Sequence, residues 1–177
     1  MIEHPSTWSR MLETYSDADW SSNKSHRRST SCGIHLVNGL FRIFMHGSSR
    51  GQKTISLSFC ERELRSLVSA ACDGLFLMVC LRFALGEEIL HLAYVDSRSA
   101  RQLASRQGCG RVRLLSGKVL WIQEKTNSGE LTLRQAGTMW NMADVGTKAL
   151  LKSISVRWKS PTTASSFIFF LEYSVSA

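Results

Sequence analysis

An α/β domain with a mixed sheet covered by helices is the fold class this sequence predicts, and three observations predict it. An Asn38-Gly39 pair separates two strand-like runs, the signature of a tight hairpin. Apolar residues then recur at three- and four-residue spacing, at Leu64, Leu67, Val68, Ala71, Cys72 and Leu75, which is the period of an amphipathic helix. An almost wholly apolar run follows, Ile89 to Val95, of the kind found in buried strands. Strands that alternate with helices after an initial hairpin imply a mixed sheet with helices packed on it.

Taken in order, residues 1–11 are polar and read as a loose N-terminal segment. Leu12 to Asp17 reads as a short strand. Ser21 to Ser31 is a polar, basic connector. Gly33 to Asn38 and Leu40 to Met45 are the hairpin strands, and His46 to Lys53 reads as a loop. Thr54 to Leu57 is a short strand-like run or a continuation of the previous one. The first helix opens with capping-box spacing between Ser58 and Glu61 and ends by Gly86. Ile89 to Val95 is a strand that stops at Asp96. Ser97 to Gln107 reads as a second helix, halted by Gly108-Cys109-Gly110, and Leu115 to Thr126 as a third. Asn127-Ser128-Gly129 is a turn, Glu130 to Gln135 alternates like a strand, and Asn141 to Lys152 is the last helix. The domain is thus expected over 12–152, with 153–177 a divergent tail containing the apolar run Phe167 to Leu171.

Bulk properties narrow the function classes. The chain has 177 residues, 44% hydrophobic and 20% charged, enough apolar material for one core. Its net charge of +8 points to a polyanionic partner. Five cysteines, odd in number and without a C-x-x-C pair, argue against structural zinc and for a reduced, intracellular protein. Cys72 and Cys80 lie in an apolar helical stretch, where free cysteine acts as a small hydrophobe. No signal peptide is visible, and the run Leu75 to Leu81 is far short of the ~20 residues of a membrane span, so no membrane partner is expected.

Four of the fourteen acids could build one metal site: Asp17, Glu63, Asp96 and Asp144. The first and third end strand-like runs; the second and fourth open helix-like ones. Carboxylates converging from such positions hold Mg²⁺ for phosphodiester chemistry. Taken singly, each has another reading: a strand-end surface acid at Asp17, a turn or cap at Asp96, a cap at Asp144, three residues after Asn141. Glu61 and Glu63 point about 200° apart on a helix, so only one can face a site. Glu61 already has a structural role beside Ser58, which leaves Glu63 for a metal. Basic residues supply the partner surface. Arg98, Arg101, Arg106, Arg111, Arg113 and Lys118 fall within Ser97 to Gln123 with no acid among them, and Arg28 adds to them from a loop. Trp20, Trp121 and Trp140 could stack on bases or pack in the core. The five histidines show no ligand spacing and receive no role.

These motifs carry a resemblance. Tyr15-Ser-Asp-Ala-Asp-Trp20, Arg28-Ser-Thr-Ser31, Gln52-Lys-Thr-Ile-Ser-Leu-Ser58 with Glu61 and Glu63, Val95-Asp-Ser-Arg-Ser-Ala100, Arg111-Val-Arg113, Gly129-Glu-Leu131 and Asn141-Met-Ala-Asp-Val-Gly-Thr-Lys148 follow one another as in the ribonuclease H domain of copia-type LTR retrotransposon polyproteins. The chain resembles that family from about Tyr15 to Leu151. The resemblance implies a ribonuclease H-like fold with a mixed five-stranded sheet flanked by helices. It implies two-metal hydrolysis of the RNA strand of RNA–DNA hybrids, with two Mg²⁺ ions for which Mn²⁺ may substitute. Asp17, Glu63, Asp96 and Asp144 fall on the family's metal-binding acids. A reverse transcriptase portion of a parent polyprotein is the implied further partner.

The sequence departs from the pattern in places. Phe59 and Cys60 replace small hydroxyl residues of the helix motif, and Arg62 stands where the family carries alanine. Leu114 replaces a histidine. The alternative to an active nuclease is therefore a catalytically degenerate domain that binds nucleic acid without cutting.

Overall fold

The hairpin forms the start of the sheet. The computed structural model describes residues 10–19, 28–53, 55–56, 58–108, 116–137 and 140–147. β1 spans Met11–Asp19, β2 Thr30–Asn38 and β3 Arg42–Gly51, each antiparallel to the next. The turn between β2 and β3 is Gly39 to Phe41, because Asn38 pairs with Arg42. The expected two-residue turn at Asn38-Gly39 is thus corrected to a three-residue one that starts a position later.

The expected loop at His46 to Lys53 is also corrected. β3 runs on through Gly51, with a register shift opposite His35 and Leu36 that leaves Met45 without a partner in the ladder between Phe44 and His46. Its His-Gly-Ser-Ser-Arg-Gly composition is that of a loop, but β2 supplies the hydrogen-bond partners that make it a strand. Met11, expected in the loose segment, opens β1.

Helix α1, Phe59–Leu85, begins at Ser58, whose hydroxyl accepts the Glu61 amide at 3.1 Å, and ends at Gly86. It covers β1, β2 and β4 (Leu90–Val95), with α2 (Arg98–Ser105) and α3 (Ser116–Asn127) beside it. β5 (Thr132–Gln135) lies parallel to β4, which lies parallel to β1, giving the strand order β3-β2-β1-β4-β5. The mixed five-stranded sheet flanked by helices is as expected. Helix α4, Asp144–Thr147, is shorter at its start than the expected helix from Asn141; positions 148–152 lie outside the described residues, as do 1–9 and the tail 153–177. Asn141 precedes α4, its side-chain oxygen accepting the Ala143 amide at 3.3 Å.

The main core lies under α1, where Leu64 and Leu67 meet Ala93, Val95, Leu103 and Ile122. Truncating either leucine to alanine costs about 2–5 kcal/mol at such fully buried positions. A second cluster, Leu12, Val37, Met78 and Ile89, sits under the C-terminal half of α1. On the opposite face of the sheet, Tyr15, Cys32, Leu36 and Ala143 pack together, and Tyr15 stacks on Tyr94 with ring centres 4.7 Å apart.

The outer side of α1 is unusually apolar. The helix is long and apolar enough to suit a membrane, with a mean hydropathy of 1.8 in its most apolar stretch, only a third of which is buried. Cys72 and Cys80 are exposed rather than packed, which corrects the small-hydrophobe reading.

Candidate metal centre

Register brings the acids together. Ser16 pairs with Val95 across the parallel β1–β4 ladder, so Asp17 and Asp96 follow side by side, Asp96 just past the end of β4 and Asp17 inside β1, which runs two residues beyond its expected end to Asp19. α1 starts at the same end of the sheet and presents Glu63 from its second turn. Each of Asp17, Glu63 and Asp96 offers a carboxylate oxygen within 4.8 Å of the other two. Asp144 lies outside this trio, at the start of α4, yet its charge acts on Asp17. Glu61 turns away: its carboxylate accepts from Arg65 at 2.6 Å, one helical turn on.

Several contacts fix this end. Ser66 of α1 donates to the Asp17 backbone carbonyl at 2.5 Å and lies 3.3 Å from that of Cys32, locking the helix to β1 and β2. Asn141 donates to the Ser16 carbonyl at 3.1 Å, tying the approach to α4 onto β1. Ser49 of β3 donates to the Gly146 carbonyl at 2.6 Å. A side chain at Gly146 would collide with the Cys32 sulfur, so only glycine lets α4 lie this close to β2. The result puts the Thr147 hydroxyl on Asp17 Oδ2.

Crowded carboxylates at low dielectric resist ionisation. Burial raises the Asp17 pKa, with the charges of Asp144 and Asp96 adding to it, while the Thr147 hydroxyl opposes the rise. Glu63 is pushed up to about 8, first by burial and then by Asp17 and Asp96, against the pull of Arg62. Arg62 is itself buried, its guanidinium 4.0 Å over the Phe59 ring and 3.2 Å from Glu63 Oε1. Glu63 Oε2 and Asp96 Oδ1 are buried without a hydrogen-bond partner among the described residues. Buried acceptors in one acidic cluster, with no donor to satisfy them, suit a hard divalent cation that prefers oxygen ligands.

Three solved structures share the architecture. A ribonuclease H1 isolated from compost by a metagenomic approach superimposes with a TM-score of 0.55 at 15% identity, over 77% of this chain and 91% of that one. The enzyme of Halobacterium salinarum gives 0.51 at 11% identity, over 76% and 92%. The N-terminal ribonuclease H domain of a Mycobacterium tuberculosis protein gives 0.51 at 14% identity, over 78% and 91%.

The fold is that of ribonuclease H. No family model matches the sequence. Among curated proteins, secreted RxLR effector protein 161 of Plasmopara viticola is 36% identical over 75 residues, which is 42% of this chain. The chain spans about half the length, 51%, of that curated relative.

In this ribonuclease H-like domain the basic residues fall in three places. Arg28 is exposed just before β2, whose Thr30 pairs with Asp19, so it stands at the acidic end. Arg98 and Arg101 line an open groove of about 500 Å³ with Gln102, Ser105 and Gln135. Lys118 is exposed on α3, where its charge reaches Cys72 of α1. Arg111, Arg113 and Trp20 lie outside the described residues; Trp121 is half-buried and packs on the core, and Trp140 is exposed.

The contacts of Arg62 with Glu63 and of Thr147 with Asp17 were not anticipated from the sequence. Thr147 lies inside the quoted 141–148 motif, and Arg62 stands between the two weighed glutamates, so both were within reach. The buried histidines were missed as well. His35 Nδ1 and His91 Nε2 lie 3.0 and 2.8 Å from the Thr14 hydroxyl, beneath α1.

Proposed function

We propose that this chain is a nuclease of the ribonuclease H type, acting inside the cell on the RNA strand of RNA–DNA hybrids with two Mg²⁺ ions, which Mn²⁺ can replace. The observation that carries the reading is the trio Asp17, Glu63 and Asp96, brought from β1, the second turn of α1 and the end of β4 to within 4.8 Å. Bound divalent ions would supply a water nucleophile at neutral pH and neutralise charge on the leaving oxygen. Glu63 and Asp96 would hold one ion, Asp17 would bridge to a second, and Asp144 would help hold that second one. Arg28, Arg98 and Arg101 would bear on phosphates, with Lys118, Arg111 and Arg113 extending the basic surface. Selectivity for a hybrid would come from backbone and 2′-hydroxyl contacts rather than base reading. The order of motifs along the chain supports a copia-type retrotransposon origin, with a reverse transcriptase portion as its partner in a parent polyprotein.

The second reading is a domain that binds hybrid without cutting it. Arg62 on Glu63 Oε1 and Thr147 on Asp17 Oδ2 favour it, because each takes up one of the two oxygens of a carboxylate that would face the ions. One experiment separates the two. The purified chain and Asp17→Asn are incubated with a labelled hybrid in Mg²⁺ and in Mn²⁺, and binding is followed against salt. Metal-dependent cleavage lost in the variant supports the enzyme. An intact hybrid that binds in a salt-dependent way overturns it in favour of the binding domain.

A further inference from the structure

We infer that the end of the domain opposite the acid trio is a surface for a second copy of this chain. The register fixes which residues meet there. Met11, the first residue of β1, pairs with Asn38 at the end of β2 and with Leu90 at the start of β4. The hairpin turn, the start of β4 and the last turn of α1 therefore share one end of the sheet. Arg82 of that last turn donates to the Ile89 carbonyl at 3.0 Å, and the Leu90 amide donates to the Arg10 carbonyl. The acids lie at the other end of the same strands.

This end is apolar where a monomer's surface is ordinarily mixed. Leu40 is 82% exposed, Phe41 71%, Ile43 55%, Phe83 90%, Leu85 41% and Leu90 56%. Taking about 180 Å² for each fully exposed side chain, within the range a buried aromatic covers, they present roughly 700 Å². Two copies would bury roughly 1,400 Å², inside the range of stable specific interfaces.

Charge supports the same occupant. A chain of net charge +8 repels its own copies over most of its surface. Here the cations are matched: Arg10 pairs with Glu87 at 2.9 Å and Arg82 with Glu88 at 3.0 Å. Matched charges beside apolar residues leave this end without the net repulsion of the rest of the chain, and polar groups flanking apolar ones are the composition of protein–protein interfaces. An acidic or nucleic-acid partner would find no excess positive charge in these two pairs. Paired through this end, both copies keep their acid trios outward and open.

Sedimentation velocity of the full chain under reducing conditions, from low to high micromolar, tests this. The expected result is a monomer–dimer equilibrium whose dissociation constant rises at least about tenfold in Phe83→Glu and in Leu40→Glu. Both variants should keep the melting temperature and divalent-ion binding of the parent, since neither touches the core or the trio. A parent that stays monomeric throughout overturns the inference, as does a dimer that survives both substitutions or open-ended association without a closed dimer. Binding to neutral phosphatidylcholine vesicles without dimerisation overturns it in favour of a lipid surface.

Discussion

Glu63 gives one carboxylate oxygen to the Arg62 guanidinium at 3.2 Å and holds the other buried, without a partner among the described residues. With its pKa pushed up to about 8, the group keeps its proton at neutral pH when no ion is bound. A divalent ion must displace that proton, so binding and deprotonation are linked. Affinity for Mn²⁺ should rise by about tenfold per pH unit below 8 and level off above it. Calorimetry in two buffers of different ionisation heat would read the released proton directly. Binding that stays flat from about two units below that value up to it would show that no proton leaves Glu63 when the ion binds.

The same shifts act on stability. Glu63 and Asp17 have folded pKa values above their ordinary ones, so the folded chain holds protons that the unfolded chain has released. Their contribution is fully present below the ordinary carboxylate range and is lost as pH rises, for Glu63 through about 8. Asp17→Asn removes one of the crowded negative charges. In chelator near that pH it should stabilise the protein by about 1–2 kcal/mol. The variant should also lose the rise in melting temperature that Mg²⁺ gives the parent. Scanning calorimetry with and without the ion measures both. A variant that melts lower than the parent in chelator would contradict the repulsion argument.

How much of this was legible in the sequence depends on the range of each interaction. Element order was readable because helix period and strand alternation are local, as at Leu64 to Leu75 and Ile89 to Val95. The closeness of Asp17, Glu63 and Asp96 was anticipated from their places after strand-like runs and near a helix start, backed by motif order. The second half of β3 was not, because Gly47 to Gly51 becomes a strand only through pairing with Thr30 to Ile34. Thr147 lies 130 residues from the carboxylate it binds, and Thr14 lies 77 from His91. No periodicity encodes such contacts; they appear only once α4 and α1 have been laid on the sheet.

The buried imidazoles give the opposite pH limb. His35 and His91 share the Thr14 hydroxyl, and burial lowers their pKa values to about 4 and about 3. Each stays neutral in the fold while the unfolded chain takes up a proton near 6.5. Their contribution is present above 6.5 and is lost as pH falls through the folded values. Stability without metal should therefore peak near neutral pH, falling on the acid side through the histidines and on the alkaline side through Glu63. Urea unfolding across this range should show the acid limb of His91→Gln shallower by about one proton. An unchanged limb would mean that His91 is not buried neutral.

Gly74 lies on α1 directly over the same imidazole. A methyl group there would stand 2.6 Å from His91 Nε2 and 2.7 Å from the Thr14 hydroxyl. Glycine to alanine inside a helix ordinarily stabilises by up to about 1 kcal/mol, because it removes backbone freedom from the unfolded chain. At Gly74 the sign should reverse, since α1 would have to lift or the His91–Thr14 bond break, at about 1–3 kcal/mol. Gly117 of α3 is the internal control: nothing lies within 4 Å of an added methyl, and Gly117→Ala should gain stability. Chemical unfolding of the two variants beside the parent reads the difference in sign. If Gly74→Ala matched Gly117→Ala, α1 would not be seated on the Thr14 hydroxyl as closely as these distances require.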